Sequence, residues 1–93
     1  MGDLGALTVE RDRIGSEFRR HKERQDTLEN ERAEIIRKTE AAAGDMKTLA
    51  LLKIETEQAA EAKRTNDRLV AQTAKRLREV EKVIEMQRQS DLT

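Results

Sequence analysis

Counted from Leu7, every seventh residue of the chain reads Leu7, Ile14, His21, Leu28, Ile35, Ala42, Leu49, Thr56, Lys63, Val70, Leu77, Ile84, and most of these positions are apolar. Seven residues make two helical turns, so the repeat draws an apolar stripe along one helix face, and such a stripe must find a partner helix. In the first half a second row at Leu4, Arg11, Phe18, Gln25, Arg32, Thr39 and Met46 is mixed in character. Near Leu49 the pattern changes phase, because Leu52, Ala59 and Val80 stand three residues after Leu49, Thr56 and Leu77. A slip of three residues in a continuous coiled coil is a stammer, which overwinds it locally. The spacing therefore predicts an all-α fold, a single long helix forming a parallel dimeric coiled coil. Its expected seam is Leu7, Ile14, Phe18, His21, Leu28, Ile35, Ala42, Met46, Leu49, Leu52, Ala59, Val70, Leu77, Val80 and Ile84.

Gly44 and Asp45 stand just before the slip and near mid-chain. One reading makes Gly44 a left-handed C-terminal cap and Asp45 the N-cap of a second helix, which gives an antiparallel hairpin. The other is a tolerated glycine inside one helix, at a cost of about 1 kcal/mol relative to Ala. No Pro or wider polar cluster marks a turn, and Ala41, Ala42 and Ala43 lead directly into it, so the continuous rod is the expectation. The chain reads as one rod segment, 1–93, with the heptad shift near 44–52 and frayed ends at 1–5 and 90–93. Asp3 is placed to cap a helix beginning near Leu4. A helix of about 85 residues would extend on the order of 130 Å.

Composition supports this picture. Charged residues make up 41% of the 93 and hydrophobic residues 35%, with a single aromatic, too little apolar bulk for a compact core. The absence of Pro and the sustained period separate the chain from disordered sequences of similar charge. Nineteen basic and nineteen acidic residues cancel, so no global field draws nucleic acid or an anionic membrane. There is no Cys, hence neither disulfide nor thiolate metal site. The longest apolar run, Leu49 to Leu52, is far short of the roughly 20 residues that cross a bilayer, and no signal-peptide pattern is present. An intracellular, cytoplasmic or cytoskeletal location is the expectation.

Several constellations carry candidate chemistry. In a parallel dimer Glu17 would face Lys22, Arg24 would face Glu29 and Arg76 would face Glu81, with no like-charged pair in either frame. Arg11, Gln25, Arg32 and Lys53 at seam positions fix register and disfavour higher oligomers. In the second half Leu69, Val70, Ala74, Leu77, Val80, Val83 and Ile84 form a stripe wider than two strands bury, which reads either as a higher-order helical bundle or as a docking surface for a separate partner, with ordinary packing preferred; Leu69, Val70, Ala74, Leu77 and Val83 are the candidate partner surface. Arg19, Arg20, Lys22 and Arg24, with His21 among them, form the densest basic patch. Glu17, Glu23 and Asp26 dilute it and only Phe18 is at hand for stacking, so a solvated face is the expected reading. His21 and Glu17 share a face one turn apart, two donors per chain, and the packed seam histidine is preferred over a metal ligand. No Cys nucleophile, Gly-rich phosphate loop or enclosed pocket points to catalysis, and no cofactor or small-molecule substrate is expected.

Through the layer Leu7, Ile14, Leu28, Ile35 and its mixed-charge flanks, the sequence resembles in architecture the coiled-coil rods of cytoskeletal, centriolar and vesicle-tethering proteins. The resemblance implies a segment of a longer protein. With the heptad reading, the expectation is a structural oligomerisation or scaffolding rod of a larger cytoskeletal, centriolar or ciliary assembly protein, self-associating as a parallel homodimer. The alternative, from the wide C-terminal stripe, is an adaptor that receives a protein partner there, as vesicle-tethering or GTPase-effector rods do.

Overall fold

The computed structural model describes residues 4–92, and the Asp3 cap lies outside them. Among the described residues the fold is all-helical, with α1 spanning Leu4–Ala41 and α2 spanning Met46–Leu92. The helices are antiparallel, packed side by side along a body measuring 72 × 15 × 14 Å. The longer helix alone accounts for that length, since 47 residues at about 1.5 Å each make roughly 70 Å.

The expected continuous helix is thus replaced by two, and the turn shows why. Ala42 N–H still reaches back to the Lys38 carbonyl at 3.0 Å, but the next amide bonds only three residues back, Ala43 to Glu40 at 3.4 Å. Gly44 then takes φ of +96°, a conformation that side chains with a Cβ disfavour, and the helix stops. Lys38 in the last turn of α1 complements the negative end of its dipole. Asp45 restarts the chain as an N-cap. Its Oδ1 accepts the Thr48 backbone N–H at 3.2 Å, its Oδ2 accepts the Thr48 hydroxyl at 2.7 Å, and its carbonyl accepts the first helical hydrogen bond, from the Leu49 N–H, at 2.9 Å. Those bonds from Thr48 hold the Asp45 carboxyl below its ordinary pKa.

The three-residue slip near Leu49 therefore marks the join between two stripes on two helices, and no helix is overwound there. On α1 the seam positions are Leu7, Ile14, Phe18, His21, Leu28 and Ile35; on α2 they are Leu49, Leu52, Ala59, Val70, Leu77, Val80 and Ile84, and all are buried or half-buried. The buried apolar side chains are Ile14, Leu28, Leu52 and Ile84. A seam expected between two chains is here occupied by the two arms of one. Met46 departs from the set. Because Gly44 diverts the backbone before Met46 can follow the α1 row, it is 79% exposed.

Candidate association surface

Between the apolar layers the arms meet through polar side chains that the fold leaves satisfied. Asn66 is buried on the seam of α2, and its amide donates across the interface to the His21 carbonyl at 2.9 Å. One turn along α1, Gln25 Nε2 donates to Asp67 Oδ1 at 3.0 Å, while Lys63 Nζ donates to Asp67 Oδ2 at 2.8 Å. The Lys63 and Gln25 bonds keep the Asp67 carboxyl ionised below its usual range. Glu17 takes Arg13 on its own helix at 3.0 Å and Arg76 across the interface at 3.4 Å. Arg13 also pairs with Glu10, whose carboxyl is held below its ordinary value by that hydrogen bond. Buried Thr73 returns its hydroxyl to the carbonyls of Leu69 and Val70 at 2.8 and 3.1 Å. Among the described residues no buried side-chain nitrogen or oxygen lacks a partner.

These bonds set a single antiparallel register: Glu17 with Arg76, His21 with Asn66, Gln25 with Asp67. A buried amide bonded at one height makes any slipped pairing leave it unsatisfied, which specifies register at a cost in stability. Glu17 and Arg76, expected to seek Lys22 and Glu81 on a second chain, here find each other. Asn66 and Thr73 are not among the expected seam residues, although counting in threes and fours from Leu52 and Ala59 reaches both. Their polarity hid them from a search for apolar positions. Of the polar seam residues that were expected, Arg11 and Gln25 are half-buried, whereas Arg32 and Lys53 are exposed.

The outer faces carry large apolar side chains among the charged ones. Ile36, Met46, Leu51 and Ile54 stand exposed toward the turn, and Val9, Leu69, Val83 and Met86 along the rest of the body. Leu51 and Ile54, one turn apart, lie on the side of α2 turned away from the seam. The expected partner surface divides: Val70, Ala74 and Leu77 sink partly into the seam, while Leu69 and Val83 remain outside. Beside Leu69 a shallow groove opens between the arms, floored by Leu28 and Ala62 and rimmed by His21, Arg24, Gln58 and Glu61.

Arg19, Arg20, Lys22 and Arg24 are all exposed on α1. Arg19 donates to the Ser16 hydroxyl at 3.3 Å and Lys22 to the Gln25 side-chain oxygen at 3.1 Å. Glu17 is committed to two arginines, so it does not join His21 as a ligand pair. No group of three or more His, Cys, Asp or Glu that could hold a metal occurs among the described residues. None of the described helices is long and apolar enough to cross a membrane.

Comparison with protein-family models, with curated proteins and with solved structures found no match, so the functional reading stands on the chain's own geometry.

Proposed function

We propose that the chain is a structural association element, a scaffolding rod whose two antiparallel arms form a spacer and whose outer apolar side chains bring copies together. The observation that carries this reading is the imbalance of burial: among the described residues four large hydrophobic side chains are enclosed, and eight stand exposed. Two helices alone cannot enclose a stripe wider than one seam, and exposed apolar surface on a charged rod is recruited into contacts. In this reading copies associate through outer faces. A parallel homodimer built on the seam itself would compete with the hairpin, because both use the same side chains. Placement within a cytoskeletal, centriolar or ciliary assembly belongs to the same proposal and follows from rod architecture alone.

Light scattering across a concentration series tests it. The expected result is a mass above one chain that falls when Leu51 and Ile54 are changed together to Gln, with helical content unchanged. A chain that stays folded and monomeric at high micromolar concentration contradicts the reading.

A second reading is favoured by the groove beside Leu69: an adaptor in which Leu69 and Val83 receive an apolar helix from another protein. Here Leu69→Gln with Val83→Gln removes partner binding and leaves the mass of the free protein unchanged.

A further inference from the structure

We infer that two copies of this chain pair by exchanging arms: each opens at Gly44–Asp45 into one long helix, and the two helices lie antiparallel so that α1 of each packs on α2 of the other. The inference shares with the self-association proposed above its partner, a second copy; its mode, the seam exchanged between copies, is distinct from contact through outer faces.

The register is the first support. In each cross-arm pair, Glu17 with Arg76, His21 with Asn66 and Gln25 with Asp67, the two residues stand at similar distances before and after the turn. Two opened chains laid antiparallel about a two-fold axis at the turn therefore restore every one of these bonds, now between copies. The polar layer that fixes the hairpin's register fixes the register of the exchanged pair equally well, and exchange of identical elements is a low-cost route to a dimer.

Met46 is the second support. The α1 row runs on through the turn in its regular spacing, Ile35, Ala42, Met46, Leu49, so a helix continued past Gly44 carries Met46 back to the seam. It is the most exposed of the large hydrophobics in the hairpin. In the exchanged pair it falls at the two-fold axis against Met46 of the other copy. Ala41, Ala42 and Ala43 are helix formers already, and a Cβ added at Gly44 would meet nothing within 4 Å, so only the φ of +96° holds the hinge closed at that residue. The exchange gives up the Asp45 cap and the two turn bonds a helix does not keep, Ala43 to Glu40 and Asp45 to Ala42, and it places the three-residue slip within one helix, which overwinds the pair locally.

The test measures mass and maximum dimension together, by light scattering and small-angle X-ray scattering on the full chain over a concentration series. Two variants accompany it: Gly44→Ala, which disfavours the turn and suits a helix, and a chain with three glycines inserted after Gly44, which relaxes the turn and breaks a continuous helix. The expected result is a dimer on the order of 130 Å long at high concentration. Gly44→Ala should shift it toward lower concentration at least several-fold, and the insertion should abolish it. A dimer near 72 Å long and indifferent to both variants would overturn arm exchange while leaving self-association through outer faces intact. A chain monomeric at every concentration would overturn both.

Discussion

Asn66 and Ile14 sit on the same seam and do opposite things. Ile14 is 2% exposed and supplies burial, so Ile14→Ala should cost about 2–4 kcal/mol in urea unfolding, a large part of what so thin a body can possess. Val9, on the same helix but 69% exposed, should change stability by less than about 0.5 kcal/mol when cut to Ala. A comparable loss at both positions would mean that the seam faces elsewhere. Asn66 supplies uniqueness, because its amide is satisfied only opposite the His21 carbonyl. Asn66→Leu is expected to raise the melting temperature while splitting or broadening the amide resonances around His21, as slipped registers become tolerable. A lowered melting temperature with sharp, single resonances would show that the amide acts through stability instead. Heptad spacing makes Ile14 legible in the sequence. The same spacing reaches Asn66, yet an isolated asparagine in a charged chain looks like surface until the facing carbonyl is known.

At the scale of elements, the turn is the decision on which the architecture hangs. The sequence contains its parts, Gly44 then Asp45 beside a three-residue phase slip, and each part alone has a blander explanation. Only together do they make a hairpin: the slip is harmless between two helices and strained within one, and a left-handed glycine next to an aspartate with threonine at the third helical position ends one helix and caps the next. The missing Pro and the run Ala41 to Ala43 favoured continuity because propensity is local, whereas the return of one arm along the other is decided by long-range contact. Gly44→Ala should destabilise the closed hairpin by about 1–2 kcal/mol, the cost of a left-handed backbone for an L-residue, measured by thermal unfolding at high dilution. No change would mean that the turn relaxes to another geometry. The Asp45 and Asp67 carboxyls, both held below their ordinary range, bind protons less readily folded than unfolded. Their contribution is fully present above the unfolded carboxylate pKa, near 4, and is lost as pH falls through the lower folded values. Stability should therefore decline on acidification below about pH 5, and Asp45→Ala should flatten that decline while lowering stability at neutral pH.

At the scale of the whole molecule, heptad periodicity and composition make helicity and a shared seam readable, because these depend only on which residues repeat. Which helix faces which is not readable from periodicity, since a stripe has the same spacing whether its partner is a second chain or the other arm. Within the structure the turn breaks that tie, since Gly44 at φ +96° and the Asp45 cap send the second arm back along the first. The central claim is that one chain closes on itself, and the most direct measurement is the intramolecular distance between its ends. The sequence has no cysteine, so Val9→Cys with Met86→Cys, both exposed positions, admits a donor and an acceptor dye cleanly. With labelled chains at high dilution, where pairing of copies is negligible, the closed hairpin predicts a separation on the order of 20 Å and near-complete energy transfer. A separation on the order of 115 Å, with no transfer, is what an unbroken helix gives, and it would contradict the account.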